Sequence, residues 1–347
     1  MEGGVGLAIG MLTVQVIAAT LQLLSRVILG QGMFVFALMT YRHLIASLCL
    51  APFAFFRERE CMKKVNLLVF MWIFLVSFFG VIIAIGFFYY GLRDTTATYA
   101  TNFINLIPIV TFVFSITIRV EKLRLNAKDG KIMVMGATLC LVGALSTAMY
   151  TGKTFYLRNV ADNSNNLLFH LFDDGMPPNW TRGTIFLVCS CLGYGFWFIA
   201  QFKLYKIYPH TYSANLLICI TASFQSMVVG LCIDRRMASW ALGWNLQLIT
   251  IFYSGALATG ATFCLISWAI AKKGPTYPSM FNPLCLVMVA ITELVFFGAG
   301  ISLGSLIGMS LIILGLYLFL WGKNMEIQSE DHLVIIMDGE AAVKLLS

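Results

Sequence analysis

Charged residues are scarce in this sequence: Asp, Glu, Lys and Arg make up 11% of the 347 residues, whereas 59% are hydrophobic. A water-soluble fold does not bury that much apolar surface, so the shortage of charge excludes a soluble globular protein. The net charge of +7 does not indicate nucleic acid binding, because the basic residues stand in short clusters between apolar runs. The sequence predicts an integral membrane protein that binds the lipid bilayer and no nucleic acid.

The sequence also lacks the motifs of enzymes and metal sites. It has no HExxH pattern and no Ser, His and acid set at a common depth. Gly152, Lys153 and Thr154 resemble the end of a phosphate loop, but Thr147 replaces the leading glycine. Eight of the nine cysteines lie in apolar runs without a disulfide or zinc spacing, so we interpret them as packing residues. We therefore expect no enzyme activity, no cofactor and no metal.

Long apolar runs are what the sequence has instead. An apolar run of about 20 residues is long enough to cross a bilayer as a helix. Aromatic residues stand at the ends of several runs, for example Phe87 to Tyr90, as expected for side chains at the membrane interface. The sequence predicts ten transmembrane helices in an all-α membrane protein, over residues 5–28, 34–56, 65–90, 97–118, 131–150, 182–203, 211–233, 246–270, 278–299 and 302–321.

The distribution of Lys and Arg predicts the orientation of these helices. With a cytoplasmic N-terminus, fifteen of these residues fall in the inner segments and seven in the outer ones. Because positive charge is enriched on the cytoplasmic side, we expect both termini there. The division is a first repeat at 5–150, a non-cytoplasmic loop at 151–181, a second repeat at 182–322 and a cytoplasmic tail at 323–347. We expect the protein to reside in the plasma membrane, with the vacuolar membrane as the alternative.

Weak internal similarity indicates a duplication. Residues from Trp268 to Leu284 match residues from Tyr90 to Leu106 at an offset of 178, and Gln201 follows Gln22 by 179. A unit of five helices ends on the opposite side of the membrane, so its second copy is inserted upside down. The sequence therefore predicts two inverted repeats, a device of secondary transporters that places the substrate site between the halves.

Two charged residues lie inside predicted helices. Arg42 stands roughly 12 Å below the outer edge of the second helix, where a guanidinium needs an acid, carbonyl groups, water or an anionic substrate. Glu293 stands roughly 8 Å from the same edge in the ninth helix. We interpret Arg42 as a substrate-binding residue or a structural clamp, and Glu293 as a proton-coupling residue or a structural acid.

Amides and prolines complete the candidate site. Gln22, Asn105, Gln201 and Asn282 lie in apolar surroundings at or beside repeat-related positions, where amides bind a ligand or join helices. We interpret these four as substrate-binding residues. Each of two prolines follows one of the asparagines and removes a backbone donor. We therefore expect helix kinks at Pro108 and Pro283.

Several segments resemble a known family. They are YRH from Tyr41, PFAFFRERE from Pro52, NLIP from Asn105, YPHTYS from Tyr208, WALGWNLQLITIFYSGALATG from Trp240, KKGPTYPSMFNPL from Lys272 and LGSLIGMSLIILGLYLFLWGKNMEI from Leu303. Over residues 5–326 the chain is similar to the plant nodulin-21-type transporters. These are also called UMAMIT or walls-are-thin-related proteins, a branch of the EamA part of the drug/metabolite transporter superfamily.

The resemblance implies ten helices in two EamA repeats and the transport of amino acids, or of related organic acids such as auxin, often as export. The family's acidic residue before the tenth helix is absent, because Ala299 stands there, whereas Glu121 retains its counterpart in the first repeat. We expect a secondary transporter or facilitator of small organic solutes, amino acids first, acting by alternating access. The alternatives to this function are a nucleotide-sugar exchanger, a channel and a receptor without transport. The oligomeric state is also open, and a homodimer is one possibility.

Overall fold

A computed structural model of the chain describes residues 2–58, 65–95, 100, 103–104, 106–120, 128–149, 154–155, 180–243, 246–282, 284–285, 287–289, 291 and 301–346. This part of the chain is nearly all helical. A pair of two-residue strands is the exception: Thr154 pairs with Ser302, and Phe155 with Ile301, in antiparallel register. The described residues thus have the architecture of a helical bundle.

The helices follow the apolar runs of the sequence. They are α1 (Glu2–Gly30), α2 (Val35–Arg57), α3 (Leu67–Ser77), α4 (Phe87–Asp94), α5 (Ile107–Thr117), α6 (Lys128–Met149), α7 (Trp180–Ile207), α8 (Thr211–Ile233), α9 (Met237–Trp240), α10 (Leu246–Gly255), α11 (Thr262–Lys273), α12 (Thr276–Ser279) and α13 (Leu303–Leu346). The strands are β1 (Thr154–Phe155) and β2 (Ile301–Ser302). Helix α13 runs on through the segment predicted as a tail.

Seven helices of the described chain are long and apolar enough to cross a membrane, which confirms the prediction of a multi-pass membrane protein. Their bounds are Val5–Leu29, Val35–Arg57, Leu67–Asp94, Thr181–Ile207, Thr211–Ile233, Leu246–Lys273 and Leu306–Glu326. Helices α5 and α6 cover parts of the fourth and fifth predicted spans. Much of the ninth predicted span lies outside the described residues.

Two of the spans contain a π-helical segment at corresponding places. The span Leu67–Asp94 has one at Phe78–Gly86, between α3 and α4, and the span Leu246–Lys273 has one at Ala256–Ala261, between α10 and α11. The second span begins and ends 179 residues after the first, and Gln201 follows Gln22 by the same number. A π-helical segment inserts extra residues into an α-helix and changes which side chains face a neighbour.

Helices α6 and α13 pack in close antiparallel contact through glycines. Gly136 and Gly143 of α6 face Gly315 and Gly308 of α13, so that a Cβ on Gly143 would lie 2.7 Å from the carbonyl oxygen of Gly308. Between these contacts the Cys140 thiol donates a hydrogen bond of 3.4 Å to the carbonyl oxygen of Ile312. Small residues allow helix backbones to approach closely in a membrane, where dispersion and polar contacts drive association.

Helices α1, α2, α5 and α7, and the two spans with π-helical segments, line an interior cavity. Helix α2 packs against α8, α1 packs against α10 and α11, and α7 packs along the span Leu67–Asp94. The last contact ends in a bidentate ion pair, in which Arg182 Nε and Nη2 donate to the two carboxylate oxygens of Asp94 at 2.6 and 2.9 Å. Helix α2 is antiparallel to α8, and α7 is antiparallel to the span Leu67–Asp94. These two pairs stabilise the walls of the cavity.

Candidate functional site

The cavity lies between α1, α2, α7 and the two spans that contain π-helical segments, and its volume is about 190 Å³. A space of this size holds on the order of ten water molecules or a solute with a similar number of heavy atoms. Most of the lining is apolar or aromatic, and it includes Phe88, Tyr194, Trp197, Phe198 and Phe263. The polar side chains on its wall are Gln15, Gln22, Ser25, Arg42, Tyr89, Thr262 and Asn282.

Arg42 is held on the cavity wall by two spans other than its own helix. Its Nε and Nη2 donate hydrogen bonds of 3.0 and 2.8 Å to the hydroxyl oxygen of Thr259, and its Nη1 donates one of 3.1 Å to the hydroxyl oxygen of Tyr89. Thr259 accepts both because its own hydroxyl donates to the carbonyl oxygen of Ser254 at 2.8 Å. Tyr89 is itself 3.4 Å from the hydroxyl of Ser25.

The charge of Arg42 has no acidic partner in the described part of the chain. Its side chain is 4% exposed, and the ion pairs of the described residues involve other basic groups. A guanidinium has five N–H donors, and three of them are used by Thr259 and Tyr89. Two donors and a full positive charge therefore stand on the wall of an apolar cavity, where an anion is the natural partner.

Two of the predicted amides share this cavity with Arg42. Gln22 and Asn282 both line it and are half-buried. The Cys285 thiol donates a hydrogen bond of 3.5 Å to the side-chain oxygen of Gln22. Gln15, about two turns before Gln22 on α1, also lines the cavity and is 3% exposed. The structure thus brings together Arg42, Gln22 and Asn282 from three separate segments of the chain.

Gln201 lies next to the cavity but is absent from its lining. It belongs to a buried cluster, defined here as the Gln201–Tyr205–Asn215–Ser267 network, whose members are at most 5% exposed. The Ser267 hydroxyl oxygen accepts from Asn215 Nδ2 at 3.0 Å and from Gln201 Nε2 at 3.4 Å, and Tyr205 donates to Asn215 Oδ1 at 2.7 Å. The network begins within one helical turn of the lining residues Phe198 and Ile266.

The other predicted site residues have mixed outcomes. Pro108 occupies the first turn of α5, where a missing amide breaks no helical hydrogen bond, and the kink expected there stays a prediction. Asn105, Pro283 and Glu293 lie outside the described residues, as do Glu121 and Ala299. Their predicted roles stay predictions.

Sequence reasoning missed both partners of Arg42. The interpretation of Phe88 and Tyr89 as residues of the membrane interface is wrong, because they are 8% and 5% exposed and line the cavity. Thr259 is an ordinary residue for an apolar run, and only its place in the π-helical segment Ala256–Ala261 distinguishes it. The offset between the two spans pairs Thr259 with Gly80 in the other π-helical segment, but no sequence signal points to Tyr89.

A multi-pass helical bundle with a buried cation on an internal cavity is the architecture of a membrane transport protein. The comparisons with known proteins specify the class further: the model of the EamA-like transporter family matches residues 6–149 and again residues 181–321. The chain therefore belongs to the EamA-like transporter family, and it contains two EamA repeats. Family membership indicates a membrane transporter of small solutes.

Two similar proteins come from the plant Arabidopsis thaliana. WAT1-related protein At5g64700 of Arabidopsis thaliana is 33% identical over 90% of this chain and 89% of its own length. Protein WALLS ARE THIN 1 of the same organism is 32% identical over 92% of this chain and 84% of its own length. A solved crystal structure that is 14% identical matches 92% of this chain and 99% of its own with a TM-score of 0.68, which shows a shared fold. The relatives confirm the resemblance to walls-are-thin-related proteins.

Proposed function

We propose that this protein is a secondary transporter or facilitator of small organic carboxylates, which binds the carboxylate at Arg42 and exposes the cavity alternately to the two sides of the membrane. The observation behind this proposal is the buried guanidinium of Arg42, which has two N–H donors beyond its bonds to Thr259 and Tyr89. A carboxylate accepts two parallel hydrogen bonds from such a group, and the bonds are strong because both partners are charged.

The rest of the cavity favours a solute with an apolar body. The six aromatic side chains among the described lining residues offer flat apolar surface, and the amides of Gln22 and Asn282 are neutral. Amino acids and auxin-like organic acids both have a carboxylate of this kind, and the amides provide acceptors for an amine. A nucleotide sugar is a poorer match, because Arg42 is the one cation among the described lining residues and a diphosphate has more charge to neutralise.

The arrangement of the helices supports inverted repeats as the basis of alternating access. The contacts of α6 and α13 occur in symmetric pairs: Gly136 faces Gly315, and Gly143 faces Gly308. Each glycine of α13 follows one glycine of α6 by 172 residues, and Ile312 follows Cys140 by the same number. Cys140 and Ile312 contact each other, as residues near a two-fold axis do. We propose repeats at 5–150 and 182–322, a non-cytoplasmic loop at 151–181 and a cytoplasmic tail at 323–347.

In this orientation the cavity lies toward the outer side and the Gln201–Tyr205–Asn215–Ser267 network lies beneath it. The network joins α7, α8 and α11 on the side where α7 and α11 end with Lys206, Lys272 and Lys273. We propose that it closes the cavity toward the cytoplasm and separates when the protein opens inward. Both termini are then cytoplasmic, in the plasma membrane or, as the alternative, in the vacuolar membrane.

Replacing Ser267 with Ala is expected to weaken this closure, because it removes the acceptor of Asn215 and Gln201. A lost buried hydrogen bond costs about 1 kcal/mol, so inward opening should increase about fivefold. The measurement is the rate at which a membrane-impermeant thiol reagent, added on the cytoplasmic side, modifies the cavity residue Cys285, read by peptide mass spectrometry. Ser223→Ala is the control, because that buried hydroxyl bonds the carbonyl oxygen of Thr40, away from the cavity. Equal rates in the two variants would contradict the closure.

Flux from proteoliposomes tests the proposed function as a whole. Vesicles that contain the purified protein are loaded with a labelled mixture of amino acids and indole-3-acetic acid, and efflux is recorded with and without a pH gradient. Selective efflux of a carboxylate supports the proposal; acceleration by the gradient indicates proton coupling and makes Glu293 the first residue to test. Efflux independent of the gradient indicates a facilitator, and no efflux of any solute favours a receptor without transport.

A further inference from the structure

Helix α7 and the π-helical segment Phe78–Gly86 lie unusually close together. The Ser190 hydroxyl donates a hydrogen bond of 2.6 Å to the carbonyl oxygen of Ala84. One turn further along α7, a Cβ on Gly193 would lie 2.8 Å from Ile83 Cγ2 and 3.1 Å from the amide nitrogen of Ala84. The two helices run antiparallel from this contact, so the next turn of α7 brings Trp197 onto Gly80.

The indole of Trp197 occupies the place where residue 80 would have a side chain. A Cβ on Gly80 would overlap Trp197 Cδ1 and would lie 2.5 Å from Nε1 and 2.9 Å from Cγ. Heavy atoms that are not bonded to a Cβ do not come within 3 Å of it in real structures. Even alanine at position 80 therefore forces the indole to move. Both Gly80 and Trp197 line the cavity.

The indole has little room on its other sides. Its ring centroid is 4.8 Å from that of Phe198, 5.6 Å from that of Phe263 and 6.3 Å from that of Tyr194. Protein interiors are packed densely enough that such a group of rings does not yield freely. A displaced indole therefore moves into the cavity and narrows it.

The corresponding place in the second repeat is built differently. At the offset between the two spans, Thr259 corresponds to Gly80, and both lie in a π-helical segment. The same offset pairs Trp197 with Ala18 of α1. Thr259 binds Arg42, and Ala18 is a small lining residue. The two corresponding places on the cavity wall thus differ: one has a threonine that binds a cation and a small alanine, and the other has a glycine covered by an indole.

We propose that the contact between Gly80 and Trp197 sets the largest solute body that the cavity accepts, with the carboxylate of the solute at Arg42 and its apolar body against Trp197. This inference rests on the proposed transport of carboxylates. Gly80 and Trp197 are specificity-determining residues in this account, and their effect depends on the size of the solute rather than on its charge.

The test compares the flux of propionate, phenylacetate and indole-3-acetate, three carboxylates of increasing size, in proteoliposomes. For Gly80→Ala we expect indole-3-acetate flux to fall at least about tenfold relative to propionate flux, because a misfit of one methyl group in a packed pocket has effects of that size. Trp197→Phe should raise the relative flux of the largest solute. The double variant should regain indole-3-acetate flux, since the smaller ring leaves space for the methyl group.

Gly86→Ala is the matched control, because it alters the same π-helical segment but its Cβ would meet Met39 at an ordinary 3.6 Å. Equal losses for all three solutes in Gly80→Ala, or no recovery in the double variant, would overturn the size limit while leaving carboxylate transport intact. An unchanged size preference in Trp197→Phe would overturn it even if Gly80→Ala fails to fold. A wild-type protein that moves none of the three would instead refute the proposed function, and the size limit with it.

Discussion

Replacing Arg42 with Gln is expected to lower the flux of carboxylates by about 10- to 100-fold, because hydrogen bonds between charged partners contribute about 1.5–3 kcal/mol. The variant should still fold. Removing a buried charge that has no acidic partner among the described residues relieves its desolvation, and glutamine is a neutral side chain that retains polar N–H donors. The measurement is uptake into proteoliposomes at matched amounts of monodisperse protein.

Two further variants separate charge from geometry at this site. Arg42→Lys retains the charge but not the planar fork, so we expect flux between that of the wild type and that of Arg42→Gln. Arg93→Gln is the control, because Arg93 is 43% exposed and its guanidinium lies over the Tyr90 ring rather than on the cavity wall. Wild-type flux in Arg42→Gln would remove Arg42 from the solute site and assign it to the structural clamp with Thr259.

Replacing Gly136 with Ala is expected to destabilise the protein, because its Cβ would overlap the amide nitrogen of Phe319 and lie 2.6 Å from the carbonyl oxygen of Gly315. Backbone atoms of a packed helix do not move aside as a flexible side chain does. Overpacking of this kind costs about 1–3 kcal/mol. The measurement is the midpoint of thermal unfolding in detergent.

The control for this variant is Gly10→Ala. Its Cβ would meet only Leu265 Cδ2 and Trp268 Cζ3 of the neighbouring helix, at 3.5 and 3.7 Å, and alanine favours a helix more than glycine does. We expect this control to be neutral or stabilising. A similar loss of stability in both variants would mean that the close packing of α6 against α13 is not what the glycines provide.

Much of the fold follows from hydropathy and internal similarity. Spans such as Val35–Arg57 and Thr211–Ile233 end close to their predicted bounds, because an apolar run in a membrane has no stable alternative to a helix. Arg42 could be selected from the sequence for the same reason: it is the one Lys or Arg well inside a predicted span. The close contact of α6 with α13 through Gly136, Gly143, Gly308 and Gly315 is a finding of the structure, because hydropathy and internal similarity do not show which helices meet.

The details of the site depend on packing that hydropathy does not encode. Tyr89 and Thr259 reach Arg42 because two spans contain π-helical segments, and such a segment shifts the faces of a helix without changing its composition. Gln201 shows the limit of reasoning from repeats. It follows Gln22 by 179 residues, yet Gln22 lines the cavity and Gln201 is buried in a network beside it.

The most direct test of the central claim compares indole-3-acetate with its neutral amide, indole-3-acetamide, as inhibitors of labelled indole-3-acetate uptake into proteoliposomes. The two molecules have nearly the same shape and differ in the charge that Arg42 is proposed to bind. The account predicts that the acid inhibits at least about tenfold better than the amide, and that this difference disappears in Arg42→Gln. Equal inhibition by both molecules in the wild-type protein would contradict carboxylate recognition at Arg42.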